Sequence, residues 1–154
     1  MLEVAKERSL WIRLALVALV STQLACDLGR SPAHNGAGGA ATVSDDERIE
    51  RAFAEQRGDL WVEVEGRVDR VLSDDLEGSR HQRFILELAS GHTVLVAHNI
   101  DLAPRVPDLE VGFSLRIRGE YEWNPQGGVI HWTHHDPGGR REGGWIEHAG
   151  TRYR

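Results

Sequence analysis

Between Gly127 and Pro137 the chain reads GGVIHWTHHDP, which sets His131, His134 and His135 beside Asp136. Imidazoles and a carboxylate at this density are raw material for two chemistries. A neutral imidazole nitrogen is a ligand for zinc, copper or nickel, and a histidine oriented by a carboxylate is a general base. Cys26 is the single cysteine, so a metal site elsewhere in the chain must be built from His, Asp and Glu. Histidines at positions 98 and 148 complete the candidate metal set: His98, His131, His135 and His148, for a divalent transition metal such as zinc. The candidate catalytic set is His131, His135 and Asp136. In a hydrolytic version Arg140 and Arg141 would neutralise a phosphate.

Local geometry decides which of these histidines can cooperate. On a helix, His131 and His135 would stand one turn apart and could share one ion, as in HExxH. The surrounding residues argue against a helix: Val129, Ile130, Trp132 and Thr133 favour strand, and Gly128 and Pro137 bound the run. Along a strand the two imidazoles share a face but lie about 13 Å apart. Zinc holds each imidazole at about 2 Å. They cannot share an ion, so a metal site needs ligands from a second element. His134 falls on the opposite face with Ile130 and Trp132, unless the strand breaks at HHDP. Asp136 before Pro137 also reads as an ordinary turn start. The competing interpretation of all these histidines is that they are solvated or hydrogen-bonded structural groups. The chain contains no GxSxG, HExxH or P-loop signature.

The elements that must position these residues follow from periodicity. Ser44 to Glu47 is a capping-box pattern opening a helix over residues 44–57, with Ile49, Ala52 and Phe53 as its apolar stripe and Gly58 as its stop. The period then changes to two. Leu60, Val62 and Val64 alternate with Trp61, Glu63 and Glu65, and Gly66 with a phase shift near Val71 predicts a bent first strand. Further strands are predicted near residues 81–88, 93–98 and 113–123, a fifth from Val129 to about His134, and a short segment from Trp145. The fourth strand puts Phe113, Leu115, Ile117, Gly119, Tyr121 and Trp123 on an apolar face. Arg116, Arg118, Glu120 and Glu122 lie on the wet face, where cross-strand pairing accounts for them. Trp132 reads as core. The connector after the third strand, with two prolines, is too broken for a strand. This pattern predicts one mostly β domain over residues 44–154, a small five-stranded antiparallel OB-like barrel with one N-terminal helix. A small sandwich is compatible with the same pattern.

Ahead of the domain, Lys6, Arg8 and Arg13 precede the apolar run Leu14 to Val20, the layout of an export signal over residues 1–25. Leu24 and Ala25 before Cys26 resemble a lipobox, although Gln23 stands where an aliphatic residue is usual. Diacylation of Cys26 would supply the two chains that stable membrane anchoring requires. Asp27 fits an inner-membrane retention signal. Residues 26–43 read as a Gly- and Ala-rich tether containing a solvated His34. The expected location is the periplasmic side of a bacterial membrane, or the periplasm itself if Cys26 is not acylated. From Cys26 onward the 129 residues carry a net charge of −7, every cation an arginine. That balance argues against non-specific nucleic-acid binding but leaves room for a local basic groove.

Four segments carry a resemblance: GEYEWN (Gly119 to Asn124), GGVIHWTHHDP, VAHNIDLAPR (Val96 to Arg105) and GWIEH (Gly144 to His148). Together they resemble an exported bacterial family catalogued as a domain of unknown function, number three-four-six-five. The resemblance covers about Gly58 to the C-terminus. It implies a small exported domain of OB-like form and assigns no activity to any residue.

Two functions are therefore expected to compete. The first is a lipid-anchored binding module for a small molecule, protein or nucleic acid. Its ligand rim comprises His98, Asn99, Asp101, Arg105, His131, His134, His135, Asp136 and His148, since loops on a rigid scaffold carry recognition. The second is a metal-dependent hydrolase of phosphodiesters using the same rim.

Overall fold

A computed structural model describes residues 43–154. The expected export signal over residues 1–25, the candidate lipidation site Cys26, and the expected tether up to residue 42 lie outside the described residues. Among those described, no helix is long and apolar enough to cross a membrane.

Helix α1 (Asp45–Ala54) begins as its sequence dictates. The Ser44 side chain accepts from the Glu47 amide and the Glu47 carboxylate accepts from the Ser44 amide, closing a capping box with three acids in the first turn. Its stop is not Gly58. Gln56, at φ 55°, takes the left-handed position, and the Arg57 amide returns to the Ala52 carbonyl. Gly58 serves closeness instead: a Cβ there would collide with the Glu122 carboxylate.

Seven strands follow: β1 (Leu60–Val71), β2 (His81–Leu88), β3 (Thr93–Asn99), β4 (Ser114–Glu122), β5 (Val129–His131), β6 (Trp145–His148) and β7 (Thr151–Tyr153). Five close a barrel in the circular order β1–β2–β3–β5–β4, with β4 returning to β1. The long first strand makes closure possible. Its first half pairs with β4 and its second with β2, and the hand-over falls at Gly66. A Cβ on Gly66 would lie 2.6 Å from the Glu87 carbonyl oxygen, so the bend needs glycine. The register slips again between Val68 and Arg70.

Inward residues of all five strands form the core, with Val64, Phe84, Leu86, Val96, Ile117, Tyr121 and Ile130 fully or almost fully buried and Ile49 of α1 packed against them. Three expectations need correction. The barrel is mixed, not purely antiparallel, because β3 and β5 run parallel; alternation in a sequence reports which face is buried, not strand direction. The fifth strand stops at His131, because Trp132 adopts φ 52°. The C-terminal segment is a hairpin, β6–β7, with β6 laid against β4.

Candidate functional site

The loop carrying the histidine cluster leaves and re-enters the barrel wall at nearly one point. His131 pairs with Glu120 of β4, and Trp145 pairs with Arg118 only two residues along the same strand. Residues 132–144 are therefore a detour of 13 residues spliced into one β4-facing strand line, an Ω-like loop. Its neck is tight. The Gly144 amide donates to the His134 carbonyl at 2.8 Å, and a Cβ on Gly144 would collide with the carbonyls of Trp132 and Arg118. Gly119, opposite the neck, would likewise collide with the His131 carbonyl. Asp136 folds the tip: its carboxylate accepts from the amides of Gly138, Arg140 and Arg141 at 2.7–2.8 Å. Those bonds hold its carboxyl below the usual aspartate range. Asp136 is thus a loop organiser, and none of its hydrogen bonds goes to a histidine.

Thr133 and His98 anchor the loop from within. Thr133 is fully buried, and its hydroxyl meets His98 Nδ1 at 2.9 Å. His98 Nε2 lies 3.0 Å from the Pro104 carbonyl, which can only accept, so Nε2 carries the proton and Nδ1 accepts from Thr133. Burial pushes the His98 imidazole below the usual histidine range. With both nitrogens occupied, this histidine staples loop, β3 and connector together and offers no lone pair to a metal.

The other rim residues are dispersed. Asn99 accepts the Asp101 amide, and Asp101 binds the backbone and guanidinium of Arg80 at 2.7 Å, which lowers its pKa. Arg105 pairs with Asp74. His148 stacks on Phe113, ring centres 4.5 Å apart, and its Nδ1 meets the Ser114 carbonyl. Ser114 is six residues along β4 from Glu120, about 20 Å from the level of His131. His134 is buried, its Nδ1 2.7 Å from the His135 carbonyl. Among the described residues, the one group of three or more candidate ligands within 4.8 Å of one another is Asp59, Glu120 and Glu122, with no histidine.

Chemistry concentrates instead on the outward face of β4. Successive rows across the sheet read Trp61–Glu120–His131 and Glu63–Arg118–Trp145. Glu120 is 4% exposed, and Arg141 reaches both its oxygens at 3.1 and 3.2 Å. Burial pushes the Glu120 carboxyl above the usual range, the Asp59 carboxyl adds to this, and Arg141 opposes it. His131 Nε2 sits 3.7 Å from Glu120, buried and without a hydrogen-bond partner, and burial lowers this imidazole's pKa. Trp132 is not core: it is half-buried beneath the Arg141 guanidinium, 5.2 Å from its ring centre.

Beside this cluster the loop walls a groove of about 610 Å³ to which β1, β4, β6 and β7 all contribute. Of the predicted rim, His135 and Asp136 line it. Sequence reasoning missed Glu120 and Arg118 as site residues, because charge on a wet strand face is ordinarily solvated. The usable signal was the pair of double glycines, Gly138–Gly139 and Gly143–Gly144, bracketing Arg140, Arg141 and Glu142.

The family model described as "Protein of unknown function (DUF3465)" matches residues 35–154, and the chain belongs to that family. No curated protein and no solved structure matches it.

Proposed function

We propose that this member of the DUF3465 family is an exported binding module, held to the membrane by a diacylated Cys26, with an OB-like barrel as scaffold. The OB-like reading is supported by the circular strand order, the bent first strand shared between two neighbours, and a β3–β4 connector without a strand. Export and anchoring rest on the basic and apolar N-terminus and the Leu-Ala-Cys sequence. The observation that carries the binding reading is the splice. A loop of 13 residues leaves a strand and returns two residues along the same β4 partner, walling a groove on the way. The barrel is closed by β1–β5 without this detour, and a rigid wall with a shaped loop is how binding surfaces are built.

Chemical-shift mapping of the ¹⁵N-labelled protein against a library of small polar and aromatic fragments tests this. Perturbed amides should cluster in residues 132–144 and on Arg118 and Trp145. Clustering in the separate groove between the β2–β3 turn and the β6–β7 turn, lined by Glu87, Ser90 and Ala149, would overturn it.

One observation favours the metal-dependent hydrolase as a second reading. The Asp59, Glu120 and Glu122 oxygens lie within 4.8 Å of one another, and the unpartnered His131 nitrogen lies beside Glu120. Zinc or manganese accepts such mixed oxygen and nitrogen ligands. Titration with each metal decides it: micromolar binding lost in Asp59→Asn/Glu122→Gln supports this reading, and no binding removes it.

A further inference from the structure

The groove beside the loop has a charge unlike that of the chain around it. Arg116, Arg118, Arg141, Arg152 and Arg154 line it, against the carboxylates of Glu63, Asp136 and Glu142, in a chain of net charge −6. The Asp136 carboxylate is already taken by three backbone amides, Glu120 by Arg141, and Glu147 by Arg152 Nε, so Glu63 and Glu142 are the ones left to oppose Arg116 and Arg118.

The guanidiniums are also held in place. Arg118 lies over Trp61 at 5.8 Å, Arg116 and Arg152 over Trp145 at 5.6 and 4.1 Å, and Arg141 over Trp132 at 5.2 Å. A guanidinium resting on an indole is oriented by the ring with its N–H edge presented to an oxyanion. Here Arg116 holds Glu63, Arg118 holds Glu142, Arg141 holds Glu120, and Arg152 holds Glu147 through Nε alone, which leaves its Nη groups open. Ordinary surface arginines must be immobilised on binding; these are immobilised beforehand.

Glu142 reveals what that edge accepts. Its carboxylate meets Arg118 Nη2 at 2.6 Å, yet the Glu142 side chain is 85% exposed while that of Arg118 is 27% exposed. The arginine is built into the wall, and the glutamate is a solvated arm on a glycine-flanked loop. Resting on the reading of this groove as the binding site, we propose that Glu142 is an internal stand-in for a ligand oxyanion. The groove then takes a small ligand with at least two phosphate or carboxylate groups, one displacing Glu142 from Arg118 and the other meeting Arg152 and Arg154.

Two groups are needed for a physical reason. Exchanging one exposed carboxylate for another oxyanion at Arg118 is close to neutral, since exposed ion pairs contribute little. A second anionic group, tethered to the first, meets Arg152 and Arg154 at high effective concentration and drives the exchange.

Isothermal titration of the full-length protein at low ionic strength with inorganic pyrophosphate, and separately with citrate, tests the proposal. At least one probe should bind at a single site. Glu142→Gln should tighten that probe about three- to tenfold by removing the competitor, and Arg152→Ala/Arg154→Ala should weaken it about tenfold or more. The tighter of the two probes identifies phosphate or carboxylate as the group recognised. Binding of neither probe to the wild type or Glu142→Gln at millimolar concentration, or a Glu142→Gln affinity equal to or below wild type, overturns it. Fragment perturbations confined to the groove alongside a failed titration would retain the site and discard its anionic ligand.

Discussion

His131 Nε2 stands 3.7 Å from Glu120 Oε2, directly across the β4–β5 ladder, buried and without a hydrogen-bond partner. Glu120 directs both oxygens to Arg141, a residue of the spliced loop. The barrel wall therefore holds the loop through Arg141 and leaves the histidine as a spare group. Removing the imidazole and removing the guanidinium should therefore have unequal consequences.

His131→Phe deletes an unsatisfied buried nitrogen and should change the unfolding free energy by less than about 1 kcal/mol. Arg141→Ala strands a buried carboxylate and should destabilise by about 1–3 kcal/mol. Urea denaturation of the two variants measures both. A larger loss for His131→Phe would mean that the imidazole carries a bond the structure does not contain.

Asp136→Ala should melt the loop tip and leave the barrel intact. Hydrogen exchange at the amides of Gly138, Arg140 and Arg141 should accelerate, with no change at β1–β4 amides. Asp136 acting as a catalytic orienter would leave those three amides protected in the variant.

Gly144→Ala and Gly119→Ala each drive a methyl into backbone at the neck of the loop. Each should cost at least about 2 kcal/mol, an overpacking penalty that neighbouring carbonyls cannot relieve by rotating. Gly139→Ala, with nothing near its Cβ but φ 62°, should cost about 1 kcal/mol. Denaturation midpoints rank the three, and equal losses would contradict the tight neck.

Stability should fall as the pH drops below the ordinary histidine range. His98 is buried neutral with its pKa lowered, so the unfolded chain binds the proton first. That stability is fully present above the unfolded value near 6.5 and is lost as pH falls from there through the lower folded value. His131 contributes with the same sign, and Glu120, raised, with the opposite sign: its protonation at lower pH favours the fold. Stability curves of wild type and His98→Asn should converge as the pH falls through this window, and parallel curves would contradict the assignment.

Much of the fold was legible because burial imposes it locally. The capping box at Ser44, the alternation of Leu60–Val64 and the face Leu115–Ile117–Tyr121 are short-range patterns, and the structure contains each. The parallel β3–β5 pairing was not legible, since alternation is the same in either direction. Nor was the end of β5 at His131. Val129 to Thr133 are strand formers throughout, and a tertiary bond between the Thr133 hydroxyl and His98 accompanies the turn at Trp132. Of the candidate site, the loop and its histidines stood out by type. Their partners Glu120, Arg118 and Trp61 did not, because only the register that brings β1, β4 and β6 side by side gives them neighbours.

In the proposed function the barrel is scaffold and the spliced loop with its groove is the recognition surface. Replacing residues 134–143 by two glycines tests it most directly, since the loop ends already meet across the Gly144–His134 bond. The variant should still unfold cooperatively, and its Arg118 and Trp145 amides should no longer respond to fragments that shift them in the wild type. A variant that retains those responses, or that fails to fold, would contradict it.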